Sequence, residues 1–133
     1  MNKIENLELE LLKDSYLIGK KFGKFNPFET EKENFLCIVK DKKSSTIICR
    51  SDFEPSNLTS VSKGWRAFYI KAELDFTISG ILVSILIPLS NAGLSVFVSS
   101  NFDTDYIFVK EDSLAIAMKE LSKAGYPFLI GRN

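Results

Sequence analysis

Histidine is absent from this chain, cysteine occurs only twice, and the 17 acidic residues are matched by 17 basic ones. Each shortage closes off a class of function. A four-ligand zinc site is out of reach when Cys37 and Cys49 are the only soft ligands and no imidazole can join them. Acid–base or nucleophilic work would fall on Asp75, Asp103, Asp105 or a cysteine, and no nucleophile has an evident base partner. The residues after Asp103 and Asp105 include Ile107 and Phe108, which supply none of the further oxygens a calcium loop needs. No enzyme, no metal and no cofactor are therefore expected. A formal charge of zero lacks the basic excess typical of domains that track nucleic-acid phosphates. The N-terminus, acidic and alternating from Met1 to Glu10, has no basic segment ahead of an apolar one, so neither a secretion nor a transit signal is expected.

Charge is also missing from Phe76 to Phe102, a run long enough to raise a membrane span, for which about 20 apolar residues suffice. Pro88, Ser90, Asn91 and Gly93 interrupt that run, and the spacing of apolar residues changes across them. Ile78, Ile81, Leu82, Ile85 and Leu89 step by three and four, as on one face of a helix, whereas Leu94, Val96 and Val98 alternate as in a strand. One helix and one strand share the run, joined at Asn91 to Gly93. Gly93 suits a helix C-terminal cap with φ > 0, and Pro88 inside the helix predicts a kink or an early last turn.

The rest of the chain sorts by the same rules. Leu7, Leu9 and Leu11 alternate with acids and lead through Tyr16 to Ile18, as one bent strand or two short ones. Lys20 to Lys32 reads as a charged loop that Phe22, Phe25 and Phe28 pin to the body. Phe35 to Lys40 and Thr46 to Arg50 are strands about a polar turn, either a hairpin or a short helical turn at Asp41 to Ser45. Cys37 and Cys49 fall one in each, so a disulfide is conceivable across the pair. Two reduced, buried thiols in a cytoplasmic protein are the competing reading. Asp52 to Lys63, with Pro55, Asn57 and three serines, resembles a linker. Trp65 to Leu74 is a strand, Tyr106 to Lys110 another, Asp112 can cap a second helix through Leu114, Ala117, Met118 and Leu121, and Tyr126 to Ile130 closes the series. The order is β-α-β-β-α-β, an α+β, ferredoxin-like arrangement with an antiparallel sheet and both helices on one face.

The first N–H groups of a helix lack internal partners and attract anions, so Ser79, Gly80 and Ile81 can hold a carboxylate. Asp103 or Asp105 at the strand-end turn can accept an ammonium group. The competing readings are that the aspartates only cap their turn, and that Gly80 only eases helix packing.

Several of these segments, in order, resemble the ACT domain, and in particular the small tandem-ACT proteins akin to the cytosolic arginine sensors called CASTOR. They are Leu74-Asp75-Phe76, Gly80-Ile81, Pro88-Leu89 with Ala92-Gly93, and Phe102 to Tyr106, with a looser match at Gly64 to Arg66. The resemblance implies a degenerate, helix-poor ACT-like unit over residues 1–62 and a regular ACT domain over 63–133. It further implies a cytoplasmic, non-catalytic regulator, a homodimer that binds a free amino acid or similar small zwitterion between ACT units and signals to a protein partner, with neither nucleic acid nor membrane as target. By similarity the ligand would touch Ser79, Gly80, Ile81, Asn101, Phe102, Asp103 and Asp105. Asn101 stands where relatives usually carry threonine. The alternative is an ACT-like interaction module with no small ligand.

Overall fold

The computed structural model describes residues 7–23, 36–71 and 80–130. Its elements are β1 Glu8–Phe22, β2 Leu36–Lys40, β3 Ser44–Arg50, β4 Ser60–Lys71, α1 Ile81–Asn91, β5 Val96–Ser100, β6 Asp105–Lys110, α2 Leu114–Lys123 and β7 Phe128–Ile130. The fold is α+β and ferredoxin-like: from β4 onward the strands and helices follow the expected β-α-β-β-α-β order. Two compact units are present, Met1–Lys13 with Arg66–Asn133, and Asp14–Trp65. β1 and β4 each contribute residues to both.

In the larger unit the strand order is β7-β1-β4-β6-β5, with β1 parallel to β7 and β5 antiparallel to β6. The first strand thus lies between β7 and β4. The alternation at Leu7, Leu9 and Leu11 explains its place, because all three side chains are buried on one face and a strand so placed satisfies its backbone on both edges. Those leucines join Phe68, Ile70, Ile107 and Val109 in a single core with Ile81, Ile85 and Leu89 of α1 and Ala117 and Leu121 of α2. One core shared by both helices means that they cover the same face of the sheet. Strand alternation assigns Ala67, Tyr69, Tyr106 and Phe108 to the other face.

Both helices end in the same way. Gly93 has φ 74° and Gly125 φ 94°. Their N–H groups donate to Ser90 and Ser122, while those of Leu94 and Tyr126 reach back to Leu89 and Leu121, the double bond of a Schellman cap. α1 continues past Pro88 to Asn91, with the Ala92 N–H on the Pro88 carbonyl at 3.1 Å. α2 departs from expectation at its start. Asp112 lies inside a 3₁₀ turn, Glu111–Ser113, and Ser113 is the N-cap residue, without a side-chain capping bond.

In the smaller unit the order is β2-β3-β1-β4. β2 and β3 form the hairpin, and the Asp41 carboxylate closes its turn by accepting the N–H groups of Lys43 and Ser44 at 2.8 Å each. Leu17, Ile47 and Cys49 form the core, with Leu58 packed against them. Residues expected in a loop prove to be strand: Lys20 to Phe22 complete β1, and Phe22 is exposed rather than pinned. Phe25 and Phe28 lie outside the described residues. The stretch read as a linker is tied down instead, by a 3₁₀ turn at Ser51–Phe53, a 2.6 Å ion pair of Lys63 with Glu54, and the packing of Leu58 against Gly19. Register also settles the cysteines. Cys49 stands opposite Leu36, and Cys37 opposite Ile48, so the two thiols point to opposite faces and no disulfide joins them.

Candidate functional site

The end of the larger unit at which α1 begins is set by three lengths. α1 has 11 residues, about 16 Å at the helical rise. Its C-terminus hands over to β5 through the bond from Leu94 to Leu89 at 3.1 Å. β5 then runs back for five residues, about 17 Å. A helix and a strand of equal length, joined at one end, bring their other ends, Gly80 and Ser100, to the same end of the unit. The β5–β6 turn is fastened there, because Thr104 Oγ1 donates to the carbonyl of Ile70 near the end of β4 at 3.0 Å.

Within the turn, Asn101 performs the capping that the sequence left open to the aspartates. Its Oδ1 accepts the N–H groups of Asp103 at 2.8 Å and Thr104 at 2.9 Å, and its own N–H donates to the Thr104 carbonyl at 3.0 Å. The Asp103 side chain is left exposed, and Phe102 stands 80% exposed at the tip. Asp105 opens β6 and pairs with Ser100, whose hydroxyl donates to its Oδ1. Asp105 has the parity of Ile107 and Val109, both in the core beneath the helices, so its carboxylate belongs to the helix-bearing face.

Gly80 is the N-cap of α1 rather than a member of its first turn, with φ 86°, a left-handed conformation that glycine adopts without a Cβ penalty. Among the described residues, no side chain caps this end. Ile81 is buried in the core, so only its backbone is available to a ligand. Ser79 lies outside the described residues, as do Leu74, Asp75 and Phe76. Two hydroxyls that the sequence reading missed stiffen the same turn of helix: Tyr126 donates to Ser84 Oγ at 2.8 Å, and Ser84 donates to the Ile81 carbonyl at 2.7 Å.

A second polar cluster occupies the helix-free face. The Tyr69 hydroxyl donates to Glu10 Oε2, Lys71 Nζ lies 3.5 Å from Glu10 Oε1, and the Tyr69 and Tyr106 rings are 5.6 Å apart. The bond to Glu10, with some burial, pushes the Tyr69 phenol up to about 12.

Residues 60–123 match the family model described as the ACT domain. This segment is similar to an ACT domain. The match spans slightly less than half of the 133 residues and takes in α1, the β5–β6 turn and α2. Solved structures extend the likeness beyond the ACT segment. A crystal structure of an Agrobacterium tumefaciens protein is 27% identical, covers 98% of this chain and 97% of its own, and superposes with a TM-score of 0.86. A Vibrio cholerae protein of unknown function follows at 15% identity, 89% of each chain and a TM-score of 0.70. The ligand-free regulatory subunit of aspartate kinase from Thermus thermophilus gives 10% identity, 87% of this chain, 96% of its own and a TM-score of 0.64. At 15% and 10% identity the likeness is one of fold. No curated protein matches the chain. Among the described residues, no helix is long and apolar enough to cross a membrane.

Proposed function

We propose that this chain is a non-catalytic regulatory protein of the cytoplasm whose ACT domain binds a free amino acid or similar small zwitterion. What supports the reading is that, among the described residues, the α1 N-terminus has no side-chain cap, while the matched lengths of α1 and β5 return Ser100 and its partner Asp105 toward that end of the unit. Amides after Ser79 and Gly80 would receive the α-carboxylate. Asp105, with Asp103 beside it, would receive the ammonium group, a charge-assisted contact. Asn101 would act through the turn it holds, and Phe102 would cover the ligand from the tip. A homodimer completing the site, a regulated protein partner, and a degenerate ACT-like unit over residues 1–62 beside the one over 63–133 belong to the same proposal. Transmission to a partner requires the ligand to favour one arrangement of the protein over another.

Thermal denaturation against a panel of free amino acids tests this. A ligand at a hundredfold its Kd adds about 2.7 kcal/mol to the native state. The Asp105→Ala variant should stay folded and lose that gain; a gain retained in full would remove Asp105 from the site. A second reading, an interaction module without a small ligand, is favoured by the exposed apolar side chains Phe102, Val83 and Ile87. A flat response to every amino acid, with self-association that depends on those three residues, would establish it.

A further inference from the structure

Ser45 is an anomaly in the smaller unit. It is 1% exposed, and its hydroxyl has no hydrogen-bond partner, a state that forfeits hydration without compensation. β3 runs between β2 and β1, and the register sets Lys40 opposite Ser45 on one side and Lys21 opposite it on the other. Directly opposed residues share a face, with Cβ atoms about 5 Å apart, so the unpaired hydroxyl is bracketed by two ammonium-bearing side chains. Neither lysine is in an ion pair with a described residue. Lys20, Lys42 and Lys43 stand exposed at the same end of the sheet. Asp41 is the acid among them, and its carboxyl is held below the usual range by the N–H groups of Ser44 and Lys43, with Lys20 adding to the effect. A chain with no net charge has thus gathered five lysines at one end of this sheet, two of them directly opposite a buried donor.

We propose that this end of the smaller unit is a binding site for a dianionic oxyanion, a phosphate or phosphate monoester, seated on the Ser45 hydroxyl between Lys21 and Lys40. Phosphate fits better than a single carboxylate because it offers three strong acceptor oxygens and up to two negative charges, against one hydroxyl and two flanking ammonium groups. Lysine rather than arginine at both flanks suits a compact charge held by point contacts rather than a planar bidentate fork. The phosphate can be free in solution or borne by a lipid headgroup.

The test is a titration of the full chain with inorganic phosphate at ionic strength held constant with sodium chloride, followed by amide chemical shifts. Saturable changes centred on Ser45, Lys21 and Lys40 are expected, with affinity falling about tenfold in Ser45→Ala and in Lys40→Gln, the loss of one charge-assisted bond. Ser45→Ala removes an unpaired hydroxyl and should melt no lower than the parent, so weakened binding there is not a folding defect. Changes that never saturate, or that are identical in both variants, would mean ionic screening alone and overturn the site. Co-sedimentation with phosphatidylcholine vesicles containing phosphatidic acid separates the sources. Capture lost in both variants assigns the lipid headgroup, saturable phosphate binding without capture assigns the free ion, and capture unchanged in both variants refutes the proposal.

Discussion

The hydroxyl of Thr104 donates to the carbonyl of Ile70 at 3.0 Å, and this bond fixes the β5–β6 turn to the end of β4, the strand from which the chain departs for α1. Replacing Thr104 with Val keeps the shape and removes the donor. The variant should lose about 1 kcal/mol in urea denaturation. If the turn is part of a ligand site, it should also bind more weakly than that loss alone predicts.

Asn101 makes the turn by accepting two N–H groups through one oxygen. Asn101→Asp preserves the acceptor and should unfold near the parent, whereas Asn101→Ala strands both donors and should cost about 1–2 kcal/mol. Equal stabilities for the two variants would show that water replaces the side chain without penalty.

Tyr69 should titrate late for a tyrosine, because its phenol is pushed up to about 12 by the bond to Glu10. A folded-state value above the unfolded one stabilises the native state fully below about pH 10, the unfolded value, and is lost as pH rises towards 12. Stability measured from pH 9 to 12 should therefore fall more steeply in the parent than in Tyr69→Phe. The ultraviolet absorbance of tyrosinate should show one fewer late step in the variant.

Ile85 is fully buried at the centre of the α1 contact. Ile85→Ala should cost about 2–5 kcal/mol, while Ile87→Ala, two positions on and exposed, should cost far less. Chemical denaturation of the pair measures the difference between the two faces of the helix.

Cys37 and Cys49 should both react with a thiol reagent. Cys37, partly exposed, should react in the native protein, and fully buried Cys49 only on unfolding. Oxidation of dilute protein should leave its electrophoretic mobility unchanged by reductant, since the two side chains face apart.

Much of the fold was legible because it is written in local periods. The 3.6-residue spacing of Ile81, Ile85 and Leu89, the alternation of Val96 with Val98, and the two helix-ending glycines at 93 and 125 each depend on neighbours in sequence. The place of Leu7 to Leu11 between β7 and β4 was not, since a strand carries its own alternation but no mark of its partners. Asp52 to Lys63 misled because its polar residues satisfy one another locally, which composition alone reads as solvation. At the candidate site, Asp105 and Gly80 were visible as an acid in a turn and a small residue before an uncharged helix. Thr104 was overlooked because its importance lies in an oxygen 34 positions away. Ser84 and Tyr126 likewise meet only across 42 positions.

The position of β1 has a temporal consequence. Because Leu9 pairs with Phe128, β1 is made well before β7 and must wait for it before the larger unit can seal its sheet, leaving its row of leucines without their final partner in the interval. Removing either strand would therefore inflict the same wound, a gap beside β7 or the loss of β7 itself.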